Sequence, residues 1–303
     1  MTTTAGVWRR PGTPANPFST SVILWAAAIH VALGCAALAA WSVTGCLAWT
    51  DLFFQYPGAI FLVELAVIQL RLSIVARRQF SLGEPLGSAW FLIAVAAGCR
   101  LVGAVCNQIF GLETLLNPLA ALSSPSTLRS LRDFGAALGG PLQSALVAWA
   151  LFCVLRLYRQ CGILKPLGHW KWLVAVFVAA SLTRDVCDVA ASVRAGAALT
   201  PATLVRWGGI PVLMILLVEA AMLYRSAAAM GRGLIARCWR ALAAAVFLAF
   251  LGDIGNWAII HGYLQAPWNS ITWYIWCPAA VACALGPLWQ VEASTRAAGQ
   301  SAA

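Results

Sequence analysis

The sequence predicts an all-α fold: a polytopic membrane helix bundle with eight transmembrane helices and a candidate two-helix repeat. Three observations carry this. Of 303 residues, 61% are hydrophobic and 10% charged, against about 25% charged in a soluble domain. Eight apolar segments are each long enough to cross a hydrocarbon core. Basic residues gather on one side of those segments. So much apolar surface does not fit inside a water-soluble core. The formal net charge of +10 therefore reads as loop charge of a membrane protein, and no nucleic-acid partner is expected.

The first span is Ser21–Val43. It contains "VALGC" at Val31–Cys35, which superficially resembles a lipoprotein cleavage box. Ala32 stands where a larger aliphatic is usual, and the apolar run continues past Cys35, so an uncleaved helix is expected. The second span, Pro57–Ala76, opens on a proline whose missing N–H does no harm in a first turn. The third is Ser88–Phe110. The long connection Gly111–Phe134 follows, and its "NPLAALSSPS" reads as a surface loop or a lying helix. Pro141 and Pro211 are expected in the first turns of the fourth span, Gly135–Leu157, and the sixth, Gly208–Ala227. The fifth, Trp170–Val193, carries "SLTRDVCD" in its second half. Arg240–His261 and Ile271–Gln290 complete the set. The membrane domain is thus expected over 21–290, with tails 1–20 and 291–303 and no soluble domain.

Orientation follows from fourteen basic residues on one side, among them Arg77, Arg78, Arg156, Arg159, Arg225 and Arg232. Four lie on the other: Arg129, Arg132, Arg194 and Arg206. The positive-inside rule puts both termini in the cytoplasm. Trp41, Trp49, Trp207, Trp268 and Trp273 are expected at the outer interface. Trp25, Trp90, Trp170, Trp172, Trp239 and Trp289 are expected at the inner one. Arginine is strongly preferred to lysine, and alanine is abundant, which fits a GC-rich bacterial genome and hence a bacterial cytoplasmic (inner) membrane.

"RLYRQCG" at Arg156–Gly162 matches "MLYRSAA" at Met222–Ala228. "FVAASLTRDVCDVA" at Phe177–Ala190 then matches "AVFLAFLGDIGNWA" at Ala245–Ala258. This alignment pairs Asp185 with Asp253 and Asp188 with Asn256. The second and third spans follow more loosely. A parallel repeat of helix pairs is one reading; the general likeness of apolar helices is the other.

The intramembrane charges lie at one depth. At about 1.5 Å per residue, Arg100, Arg184 and Asp253 stand roughly 18–21 Å above the inner ends of their spans, in a core of about 30 Å. Glu64, counted from the opposite end, reaches a similar level, as does Gln143. His30 and Glu219 fall near the midplane, and Asp188 and Asn256 one turn above Asp185 and Asp253. Asn107 and Gln108 come nearer the outer surface. A charge at such depth costs about 2.5–3.5 kcal/mol on insertion scales, so these groups are expected to face the bundle and meet one another. Arg184 and Asp188 have helix-pair spacing. Arg100 is expected to meet Asp185 or Asp188, with Arg184 serving the remaining acid. The candidate ligand- or proton-binding set is Glu64, Arg100, Arg184, Asp185, Asp188, Asp253 and Asn256. With Glu219, the acids outnumber the two arginines, which suits a proton, a small cation or an amine. Gly252 and Gly255 beside Asp253 permit close approach and mark it as the leading functional acid.

Other chemistries are disfavoured. None of the ten cysteines forms a C-x-x-C pair, so no zinc site is expected. His30, His169 and His261 fall at three different levels, which disfavours a bis-histidine haem. Neither Lys165 nor Lys171 lies inside a span, which disfavours a retinal Schiff base. No G-x-S-x-G or H-E-x-x-H occurs. No cofactor is expected. Three function classes stay open: a small-solute or proton-coupled transporter, a sensory or accessory module acting through a partner, and an enzyme on lipid head groups using Asp185, Asp188 and Asp253.

Overall fold

The computed structural model describes residues 18–81, 83–116, 134–194, 196, 201–265 and 267–300, with the side chains of 55, 107–116, 201–208, 210, 260, 269 and 298–300 excepted. Most of the predicted surface segment Gly111–Phe134, the side chains of Asn107 and Gln108, and Arg129, Arg132, Arg206 and Trp207 lie outside this description. Among the described residues the regular structure is helical throughout.

Helix α1 spans Thr20–Thr44. The Ser19 hydroxyl accepts from the Val22 N–H at its start, and Gly45 closes it at φ 66°, a left-handed turn that glycine takes without strain. A short helix that hydropathy did not separate, α2 (Ala48–Gln55), follows. Its Phe53 is buried against the Trp273 ring at 5.4 Å. Helix α3 (Pro57–Arg77) opens on proline as expected. Helix α4 covers Pro85–Leu116, outlasting its predicted span at both ends.

A π turn, Leu138–Leu142, leads into α5 (Gln143–Gln160). Pro141 sits inside that turn, not in a first turn as predicted; its missing N–H is absorbed by locally wider winding. Helix α6 covers Trp170–Arg194, α7 Pro201–Ala229, α8 Leu234–Ile260 and α9 Ile271–Gln300. Because α7 starts earlier than predicted, Pro211 also lies within a helix. The predicted tail from residue 291 continues α9, where Glu292 and Arg296 approach to 3.9 Å one turn apart.

Among the described residues, seven helical stretches are long and apolar enough to cross a membrane. The eighth predicted span, α6, has the length, 25 residues, but Arg184, Asp185 and Asp188 set its composition apart. The chain is a multi-pass membrane protein in contact with a lipid bilayer.

Six helices close a ring in the order α3, α4, α5, α7, α8, α9 and back to α3. Helix α1 attaches outside, against α9 and α3, and α6 attaches outside, against α7. The helix-pair unit is a packed hairpin at α3–α4 and at α7–α8. At α5–α6 it is opened: α5 enters the ring, and α6 is displaced onto its outer surface.

Small residues let these helices approach. Ala76, Ala220, Ala227, Ala243 and Ala284 are fully buried, whereas Phe91, Trp149, Phe152 and Val176 point outward. In lipid the gain from association is packing, so small residues belong between helices and large ones outside. At Gly103 a Cβ would stand 2.7 Å from the Gly135 carbonyl, which only glycine permits.

The predicted aromatic belt is corrected in part. Trp25, Trp49, Trp172 and Trp268 are exposed, but Trp90, Trp239 and Trp273 are buried. Trp90 and Trp239 stack at 5.3 Å, with Tyr158 and Leu223 in the same core. They plug one end of the ring. Trp273 donates its N–H to the Gly58 carbonyl at 2.9 Å and so fastens α9 to α3.

Candidate functional site

The polar cluster forms where α6 faces α8. Both helices present residues at three- and four-residue spacing: Ser181, Arg184, Asp185, Asp188 and Ser192 on α6, and Asp253, Trp257 and His261 along α8 and its C-cap. Such spacing stacks side chains on one helix face. Helix α6 lies closest to α7. It reaches α8 through longer side chains, as where Phe177 meets Phe250 at 5.7 Å. Its entrance is tied to the end of α7: the Lys165 N–H donates to the Ser226 hydroxyl at 3.0 Å, and Arg225 donates to the Pro166 carbonyl.

Arg184 turns back on its own neighbour. Its Nε and Nη2 both donate to Asp185 Oδ1, at 2.9 and 2.7 Å. The pair is shielded, with side chains 16% and 11% exposed. The other oxygen, Asp185 Oδ2, is buried without a hydrogen-bond partner among the described residues. Asp253 lies within electrostatic reach of both Arg184 and Asp185. It is exposed on α8, so the Arg184 guanidinium has one carboxylate in contact and a second within electrostatic reach.

One turn further on, Asp188 Oδ1 accepts from Trp257 Nε1 at 2.9 Å and meets His261 Nε2 at 3.1 Å. His261 Nδ1 stands 2.9 Å from the Trp257 carbonyl. That carbonyl can only accept, so Nδ1 carries a hydrogen. Nε2 then donates to Asp188 only if the ring is doubly protonated; otherwise the carboxyl must carry the proton. A proton between Asp188 and His261 satisfies this contact in either arrangement.

The predicted set divides. Arg184, Asp185, Asp188 and Asp253 come together, joined by Trp257 and His261. Arg184 meets Asp185, not Asp188, whose described partners are on α8. The expected meeting of Arg100 with Asp185 or Asp188 is not made. Helix α4 packs against α3 and α5, whereas α6 packs against α7. Arg100 Nη2 is buried without a partner among the described residues. Glu64 lies on an exposed face of α3, so depth alone misjudged its direction. Asn256 is exposed on α8.

Glu219 is buried in the ring, and its Oε2 lacks a partner among the described residues. His30 packs as a structural residue: Nδ1 lies 2.8 Å from the Ala26 carbonyl, and the ring stacks on Phe61 at 4.0 Å. Trp257 and His261 were missed as site residues. Their signal was present, four and eight positions after Asp253. Beside Asp253, a Cβ at Gly252 would collide with the Trp276 indole, and one at Gly255 would stand 2.8 Å from Thr272. Those glycines serve the α8–α9 contact.

Among the described residues, no three His, Cys, Asp or Glu side chains converge as a metal site. Comparison with protein-family models, with curated proteins and with solved structures returns no match to this chain.

Proposed function

We propose that this chain carries protons, alone or with a small solute, across a bacterial cytoplasmic membrane. In this reading the membrane domain covers 21–290 and both termini face the cytoplasm, which places the α6–α8 cluster towards the outer surface. The single observation that carries the proposal is the Asp188–His261 pair, a carboxylate and an imidazole 3.1 Å apart between which a proton can be held. The exposed acid Asp253, one turn of α8 from Trp257, supplies a second acceptor within electrostatic reach of Arg184 and Asp185. A proton arriving at Asp188 and leaving by Asp253 passes between groups that differ in their cationic neighbours, which is what a relay needs.

The test is charge movement in proteoliposomes on a solid-supported membrane. A proton step should give a transient current, and a step of methylammonium at constant pH tests for a cationic solute. Asp188→Asn and Asp253→Asn should each reduce the proton current at least tenfold at equal protein density. No current from the wild type, or undiminished current in both variants, defeats the reading.

A second reading, a sensory or accessory module, is favoured by one observation. Helix α6 lies outside the ring and exposes Trp172, Val176, Leu182 and Val186. Crosslinking from the exposed Cys187 in native membranes should then capture one distinct membrane protein. Labelling of lipid alone counts against it.

A further inference from the structure

We infer that the outer groove between α3 and α4 is a binding site for an anionic phospholipid. The groove is independent of the α6–α8 cluster. Its volume is about 600 Å³, and its walls are apolar side chains of both helices: Leu70 and Ile74 on α3, Phe91, Val95 and Val102 on α4. Phe91, Val95, Gly98 and Val102 follow one another at three- and four-residue spacing, a single continuous stripe. From Phe91 to Val102 the stripe rises roughly 16 Å, about half of a 30 Å hydrocarbon core. That is the depth of one leaflet, which suits an acyl chain better than a compact solute.

The charge lies at one end only. Arg77 and Arg78, at the close of α3, complete the lining. The position of Gly87, whose Cβ would stand 3.3 Å from Arg77 Nη1, shows that the arginines lie at the Phe91 end. Leu138, from the π turn, closes the groove elsewhere. Arg77 Nη1 donates to the Phe80 carbonyl at 2.9 Å. Neither arginine forms an ion pair among the described residues. The nearby acid, Glu84, is engaged by the Ser81 hydroxyl. Two guanidinium groups with spare donors, at the mouth of a leaflet-deep apolar channel, match a phosphate carried on an acyl chain.

Gly98 is the second observation. It lies on the groove wall, within α4, and a Cβ there meets no atom within 4 Å. Gly103, Gly252 and Gly286, by contrast, stand at close helix contacts. At Gly98 the missing side chain leaves only open space in the channel.

The experiment is native mass spectrometry of the purified full chain in detergent, titrated with palmitoyl-oleoyl phosphatidylglycerol and the phosphatidylcholine of the same chains. The wild type should retain phosphatidylglycerol about tenfold over phosphatidylcholine. Arg77→Gln with Arg78→Gln should bring that ratio near one. Gly98→Leu should reduce retention of both lipids by about fivefold at a melting temperature no lower than that of the wild type. If the arginine variant keeps the preference, the site is overturned. Equal retention of the two lipids by the wild type also overturns it, as does competition by glycerol 3-phosphate at the same concentration, which would mean an anion site without a chain. Should Gly98→Leu not insert, the arginine variant alone decides.

Discussion

At one end of the helix ring, Trp90 and Trp239 stack at 5.3 Å among Tyr158, Leu223 and buried alanines. Where α6 meets α8, toward the opposite end of both helices, Arg184, Asp185, Asp188, Trp257 and His261 are joined by a few side-chain bonds. The first region is held by shape. Its cohesion comes from many small contacts, each lost outright if an atom is removed. The second is held by charge pairing, in a helix that stands outside the ring. A membrane protein can bury a large aromatic plug without penalty, but each charge must find a partner or water. The contrast sets a packed core in the ring against a charged cluster on its flank, and it can be broken from either side.

The largest effect is expected from Trp239→Ala. In soluble cores such a truncation costs about 3–5 kcal/mol. Here the unfolded reference is itself in lipid, so the transfer part shrinks and the cavity part remains. A loss of about 3 kcal/mol is predicted, read from unfolding in mixed detergent. A loss below 1 kcal/mol would mean the plug does not organise the ring.

Next comes Arg184→Ala, which orphans Asp185 in a shielded site. The pair keeps some exposure, so the predicted loss is about 2 kcal/mol, below the 3–5 kcal/mol of fully buried pairs. Arg184→Ala with Asp185→Ala should regain at least half of it. Strictly additive losses in this cycle would show that the two do not interact. Running the same cycle with Arg100 and Asp185 should give no coupling, since α4 and α6 pack on different neighbours.

Trp257→Phe should cost less, about 1 kcal/mol, because one donor to Asp188 is removed while His261 remains. In the proton-step assay this variant should keep the current but shift its pH dependence. An unchanged pH dependence would detach Trp257 from the Asp188–His261 proton.

How far the sequence carried these conclusions depends on the medium. Helix positions were legible because length and apolarity are what a bilayer selects. The common height of Arg184, Asp185 and Asp253 was legible too, from rise per residue. Facing was not. In water an amphipathic stripe tells which side of a helix is buried; in lipid both sides of α3 are apolar. Glu64 was therefore assigned inward although it is exposed, and Trp90 was assigned to an interface although it fills the core. The better signal is residue size: buried faces collect Ala76, Ala220 and Ala243, while Phe91 and Trp149 face out. Nor could spacing show that α6 is displaced from its partner α5, since that depends on which helices close the ring.

The smallest predicted effect has the opposite sign. Gly98→Ala adds a methyl group where nothing stands within 4 Å. Glycine inside a helix is less favourable than alanine by about 0.5–1 kcal/mol, because its backbone has more freedom to lose. The variant should therefore be stabilised by roughly 0.5 kcal/mol. Gly286→Ala is the control: its Cβ would lie 2.7 Å from Leu242 Cγ, and overpacking of a tight contact should lower stability by about 1 kcal/mol or more. Melting temperatures in one detergent suffice, since only the signs must differ. A destabilised Gly98→Ala would mean that α4 is closely covered at this point. The α3–α4 channel would then be closed, and the acyl chain assigned to it would have no room.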